Sequence, residues 1–439
     1  MHSLLVIRDG SVVLDAYMYP YDGSIYHDLA SVTKSFIATL IGIAATQDKL
    51  DLDAPVLSFF PDREIANRDA RKERITVRHL LSMSSGLDCT DWPNEITQQQ
   101  MRESPDWVQF VLDLEMIDEP GMTFSYCSPG MHLLSAILQQ ATGMSALEFA
   151  RANLFAPLGI EDVYWPADPQ GVTYGWGDLA LQPRDAAKLG FLYLHEGGWD
   201  GRQILSRGWV AEATSPQVRT GRAEDYGYGW WVSLPGQGMR FFRADGNGGQ
   251  RILVVPSRDL VIMTTGAGFS PESMFESIAA AATPDLHPLP ANPAGGDRLQ
   301  AVLAELVEGP EPEPVPPQPP TARSISGRTY VFEPNRYGVR SLRVDFDDPA
   351  EAVFRLDIAS EASPRVDRVG LDGVFRPSLE GRPIVARGHW DGPRTFVVGV
   401  DEGPGFHSYD LRLRFDGPAI RLEVLGTILE GSAASPASG

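Results

Sequence analysis

The chain has 439 residues, 43% of them hydrophobic, and a formal net charge of −21 at pH 7. That length accommodates two domains with ample core. A surface this acidic repels a phosphate backbone and an anionic membrane, which excludes nucleic acid as a partner and electrostatic docking on lipid. Two cysteines, Cys89 and Cys127, make neither a disulfide scaffold nor a metal site and leave one bridge between them open. Thr39, Gly42 and Thr46 interrupt the longest apolar stretch, so no membrane span is expected. The first residues lack the basic segment and long apolar core of a signal peptide, and the chain as written reads as cytoplasmic. It begins abruptly inside a strand-like run, so a segment before Met1, and with it a periplasmic location, is the alternative.

In chain order, Leu4–Ile7 and Val12–Tyr19 are β-rich runs around Asp9-Gly10, a hairpin signal. Asp28 to Ile43 follows, almost wholly apolar from Ser35 onward, and reads as a helix buried on most sides. Ile75–Ser82 reads as a short helix capped at Thr76, and Asp106–Leu114, Met131–Thr142, Ala146–Leu154 and Gln182–Glu196 as further helices. Strand-like runs return at Tyr226–Ser233, Met239–Phe242, Gln250–Val255 and Leu260–Thr265, and the helix Glu272–Ala282 closes this part. With β at both ends and α between, residues 1–285 predict an α+β domain whose antiparallel sheet is built from both chain ends and flanked by a helical subdomain.

Residues 286–323 read as a proline-rich spacer with one short helix, Arg298–Leu306, ending in Glu311-Pro-Glu-Pro-Val-Pro-Pro-Gln-Pro-Pro320. From 324 to 430 strand-like runs recur at Arg328–Glu333, Ser341–Phe346, Ala352–Ile358, Gly373–Pro377, Ile384–Trp390, Thr395–Val400, His407–Phe415 and Ala419–Val424. Their even spacing predicts an all-β barrel or sandwich. Residues 431–439 read as a disordered tail.

Three stretches could carry chemistry. Ser31 and Lys34, three apart, fall on one face at the start of the buried helix, where unpaired N–H groups and the helix dipole favour developing negative charge. A serine beside an amine is an activated-nucleophile arrangement, and a lysine in apolar surroundings loses affinity for its proton. A capping serine and a solvated lysine are the commoner meaning of this tetrad taken alone. Tyr126 and Ser128, two apart in Tyr126-Cys127-Ser128, can face one cleft, and a phenol beside a lysine can relay a serine's proton. Asp245-Gly246-Asn247-Gly248-Gly249-Gln250 lets backbone approach a ligand closely at a strand edge, though as a turn it is ordinary. His79, His132 and His195 lack metal-ligand spacing and read as packing or surface residues. Trp176, Trp230 and Trp231 read as core aromatics that could reach a cleft.

Taken together, Ser31-Val-Thr-Lys34, Tyr126-Cys-Ser128 and Asn247-Gly248-Gly249 resemble the three motifs of the serine β-lactamase and penicillin-binding-protein superfamily, in its class C and esterase branch. The resemblance covers roughly residues 1 to 285. It implies Ser31 as acyl-forming nucleophile, Lys34 and Tyr126 as proton-transfer partners, and the backbone N–H groups of Ser31 and Gln250 as oxyanion hole. Ser128, Asn247, Gly248 and Gly249 would bind substrate. Ser128 stands where class C β-lactamases carry asparagine, and Asn247 where they carry the lysine that holds a substrate carboxylate. These departures are similar to esterases and amide hydrolases of this fold, including the aminohexanoate-dimer hydrolases. The expected substrate is thus a small ester or amide, with no cofactor and no metal. A β-lactamase or DD-peptidase, needing Arg243 or Arg251 in the lysine's place, and an inactive binding protein of the same fold are the alternatives.

Overall fold

A computed structural model describes residues 1–89, 95–234, 236, 238–282, 291–335, 337–359, 363–379, 383–401 and 408–434. The end of the first region (283–285), the first part of the spacer reading (286–290), His407 and residues 435–439 lie outside the described residues. Strands β1 (Ser3–Arg8) and β2 (Ser11–Tyr17) form the expected hairpin. Asp9 and Gly10 at its tip both have positive φ, 48° and 71°, the turn geometry that matches strand twist. β3 (Glu224–Tyr226), β4 (Trp231–Ser233), β5 (Phe242–Gly246), β6 (Gln250–Val255) and β7 (Leu260–Thr265) complete a seven-stranded sheet of order β2-β1-β7-β6-β5-β4-β3. β1 pairs antiparallel with β7, so strands from the two ends of this region lie side by side, next to the edge strand β2. The run Tyr226–Ser233, expected as one strand, is two strands separated by a turn. Gly229, with φ 76°, turns the chain back there.

The sequence between the sheet's halves supplies α1 (Thr33–Thr46), α2 (Val77–Leu81), α3 (Ile96–Glu103), α4 (Trp107–Asp113), α5 (Ser128–Thr142), α6 (Ala146–Ala150), α7 (Pro183–Leu194) and α8 (Arg207–Ala213). α1 is buried from Thr33 to Ala44 and packs into the same core as Ile252 and Val254 of β6. The opposite face of the sheet, with Leu253 and Val255, lies under α9 (Glu272–Ala281) through Phe275 and Ala279. Each face therefore buries alternate residues of the same strands, as the period of a pleated sheet requires.

The spacer is not wholly extended. Its helix α10 runs Pro293–Val307, longer than expected at both ends, and Leu303 and Leu306 pack onto the α9 side of the sheet. A further short helix α11 (Pro320–Ile325) places Ala322 and Ile325 in the second core, so that core draws on residues ahead of 324. That core is the inside of a barrel built from β8 (Arg328–Phe332), β9 (Val339–Asp345), β10 (Glu351–Ile358), β11 (Arg365–Gly370), β12 (Arg376–Ser378), β13 (Ile384–Trp390), β14 (Thr395–Asp401), β15 (Ser408–Asp416), β16 (Ala419–Val424) and β17 (Thr427–Ala433). A bridge between Gly370 of β11 and Arg387 of β13 closes the ring, leaving β12 as a short flank. The residue pattern does not mark β11 or β17 as strands: charged residues alternate through the first, and small residues dilute the second. β17 also carries ordered structure to Ala433, three residues into the stretch that reads as tail.

Candidate active site

Ser31 sits in a single 3-10 turn, Ala30–Val32, that feeds directly into α1, and Lys34 is the second residue of that helix. Lys34 is 1% exposed, because the apolar sequence that follows pulls the start of the helix into the core. Its Nζ donates to Ser31 Oγ at 2.7 Å and to the backbone carbonyl of Trp176 at 2.9 Å. The same ammonium lies 4.9 Å from the centroid of the Tyr126 ring. Hydroxyl and amine, three residues apart, thus meet the ring of the sequence-distant Tyr126 at the mouth of α1.

Tyr126 is half-buried and held from two sides. Its successor Cys127 is disulfide-bonded to Cys89, and both cysteines are buried, so neither is available to an oxidant. Trp231 stacks on the phenol ring at 6.2 Å, and Phe124 and Tyr226 pack edge-on or tilted around that pair. Burial first, with Tyr126 and Asp245 adding to it, pushes the Tyr226 hydroxyl well above the ordinary phenol range, which keeps Tyr226 neutral. Ser128 is the first residue of α5 and is buried. Trp230 is core, whereas Trp231 forms a wall beside Tyr126 and Trp176 contributes its carbonyl to Lys34.

Gly246 lies against the turn that carries Ser31: a Cβ there would stand 2.5 Å from the Leu29 carbonyl oxygen and 3.0 Å from Ala30 Cβ. Gly249 instead abuts Phe269, and the Gln250 side chain is tied to Gly266 through both its oxygen and its nitrogen. Asn247 is exposed and its amide donates to the Glu95 carboxylate at 3.2 Å. The face of β5 turned toward α1 carries Phe242, Ala244 and Gly246, none of them cationic. Arg243 and Arg251 lie on the other face, where Arg243 pairs with Glu224 at 2.8 Å and Arg251 with Asp245 at 2.6 Å. Glu272, at the start of α9, neighbours both. Neither arginine replaces the missing lysine.

The histidines behave as packing residues. His79 caps α2 by receiving the Thr76 N–H, and His195 packs tilted against Phe191 at the surface. His132 is fully buried and paired with Asp168 at 3.0 Å, behind Trp107 and Trp176. Burial lowers the His132 pKa, although Asp168 opposes it. Two contributors to the site escape a reading of the sequence, the Trp176 carbonyl and Glu95, because no local pattern marks a carbonyl acceptor or a rim acid. Gly246 falls within the glycine-rich stretch singled out from sequence, one position ahead of the Asn247-Gly248-Gly249 triplet that carries the resemblance.

The profile of the beta-lactamase family matches residues 2–283. The chain belongs to the beta-lactamase family, whose members are hydrolases. Among its relatives, the 6-aminohexanoate-dimer hydrolase of Paenarthrobacter ureafaciens is 23% identical over 291 residues, 62% of this chain and 74% of that protein. A solved family VIII carboxylesterase has a TM-score of 0.53 at 17% identity, covering 64% of this chain and 92% of its own. The octameric penicillin-binding protein homologue from Pyrococcus abyssi has a TM-score of 0.52 at 18% identity and covers 98% of this chain and 95% of its own. The last likeness extends the shared fold through the C-terminal barrel.

Proposed function

We propose that this chain is a serine hydrolase that works through an acyl-enzyme on a small ester or amide. The observation that carries the reading is the 2.7 Å hydrogen bond from Lys34 Nζ to Ser31 Oγ, with the Tyr126 ring beside the amine. In this mechanism Lys34, with Tyr126, takes the proton from Ser31 as Oγ attacks the substrate carbonyl, and returns it to the leaving group. The N–H of Ser31 and the backbone of the Gly246–Gln250 stretch, whose Gly246 borders the Ser31 turn, would stabilise the oxyanion. Ser128, Gly248 and Gly249 would shape the floor of the site.

The inward face of β5 carries no cation, and both nearby arginines are paired on the other face. An uncharged ester or amide therefore suits the cleft better than a carboxylated β-lactam or peptide terminus. The disulfide favours an oxidising compartment such as the periplasm over the cytoplasm.

A p-nitrophenyl ester of a short acyl chain tests this directly. Ser31→Ala is expected to abolish turnover, and Lys34→Ala to slow acylation by about 10²-fold or more, the usual scale of a lost proton-transfer group. Full activity in the serine variant would refute Ser31 as the nucleophile, and a fluorophosphonate that fails to tag Ser31 in the wild-type chain would favour a non-catalytic protein of the same fold.

A further inference from the structure

The residue just before the proposed nucleophile has a backbone conformation that its side chain disfavours. Ala30 has φ +48° and is 4% exposed. A non-glycine residue in this left-handed region is under strain and persists only when its surroundings hold it there. Three holds are visible. Asp28, buried at 2% exposure, accepts the Ala30 N–H on its carboxylate at 2.7 Å. His27 and Asp28 pair as a short strand with Leu181 and Ala180, and the Leu29 N–H donates to the Leu179 carbonyl at 2.8 Å. Gly246 closes over Leu29 and Ala30 from the sheet. The segment from Trp176 to Leu181 thereby grips both the amine of Lys34 and the turn that carries Ser31.

We propose that Asp28 is a positioning residue: its carboxylate fixes Ala30 in the left-handed conformation that aims Ser31 Oγ at Lys34. The inference rests on Ser31 being the nucleophile, and it adds a group that touches no substrate atom. A carboxylate accepting a buried N–H is one of the stronger hydrogen bonds a protein makes, and removing it leaves that N–H unpaired beside the reacting hydroxyl. Glycine at position 30 adopts the same φ without help, which gives the idea a signature that a merely structural contact lacks.

The test uses the full chain, with fluorophosphonate labelling of Ser31 and steady-state hydrolysis of an uncharged p-nitrophenyl ester as readouts. Asp28→Ala is expected to lower kcat and the labelling rate together by about 10- to 100-fold, with KM changed less than about threefold. Asp28→Asn, whose amide oxygen accepts the same N–H, should stay within about fivefold of wild type. Adding Ala30→Gly to Asp28→Ala should recover most of the lost rate. Wild-type rates in Asp28→Ala, or no recovery on adding glycine, would overturn the inference. If Asp28→Ala does not fold, Asp28→Asn decides: a loss beyond about tenfold refutes the acceptor role. Wild-type protein that is never labelled at Ser31 refutes the proposed function instead, so the two failures are distinguishable.

Discussion

Under the proposed function, the absence of a cation at Asn247 disfavours a carboxylated substrate. The Asn247 amide is already engaged by Glu95, so a lysine placed there would meet a carboxylate before it met a ligand. Asn247→Lys is therefore expected to change nitrocefin acylation by less than about twofold, the added ammonium being consumed in a rim ion pair. Asn247→Lys combined with Glu95→Gln frees that cation, and acylation by the carboxylated substrate should rise by about tenfold, the scale of one charge-assisted contact. Equal gains from the single and the double variant would show that Glu95 exerts no control. Ser31 and Lys34 are legible in the sequence because their spacing within one chain segment fixes their mutual distance. The Asn247–Glu95 contact is not, because its partners are far apart along the chain.

Elements position these residues, and the segment before α5 shows how. The Cys89–Cys127 bridge closes a loop over a sequence separation of 38 and pins the chain immediately beside Tyr126. By the loop-entropy argument such a bridge is worth about 3–4 kcal/mol. Replacing both cysteines with serine is expected to cost that much in urea unfolding and to lower ester kcat, since the residue after Tyr126 loses its tether to position 89 while Trp231 still stacks on the phenol. Unchanged stability and kcat would show that stacking alone sets the phenol. The hairpin β1–β2 and the cap of α2 are legible because turn and capping chemistry is local. The split of β3 from β4 is not, because a run of buried aromatic and glycine residues hides a turn whose strands are both buried.

The barrel and the hydrolase core touch near the lead-in to Ser31. Tyr21 and Ile25 bury against Val385 of β13 with Phe375 beside them, and the Phe375 N–H donates to Tyr19 Oη at 2.9 Å. His2 stacks on Tyr21 at 4.1 Å, approaches Asp401 of β14 at 3.9 Å, and lies 5.4 Å from the ring of His27. Burial, then His2, lowers the His27 pKa to about 3, against a backbone bond to Ile25. An unfolded histidine titrates near 6.5, so below about pH 6.5 the unfolded chain binds a proton that the folded chain refuses. Stability is then complete above about pH 6.5 and falls by about 1.4 kcal/mol per pH unit on acidification, with buried His132 acting in the same direction. Urea unfolding at about pH 7 and about pH 5 measures the slope, and His27→Phe should remove about one proton from it. A slope unaffected by that substitution would show that His27 is not the group involved.

What residue order settles in this protein is what neighbours along the chain can settle: the α+β pattern, the buried helix with Ser31 and Lys34 at its start, and the proline-rich break before a β region. The meeting of Tyr126, Trp176 and Gly246 around that helix, the pairing of Asn247 with Glu95, and the docking of the barrel against Tyr21 belong to the folded chain alone. These contacts join residues far apart in sequence, and their geometry exists only once both cores have closed around the elements that carry them.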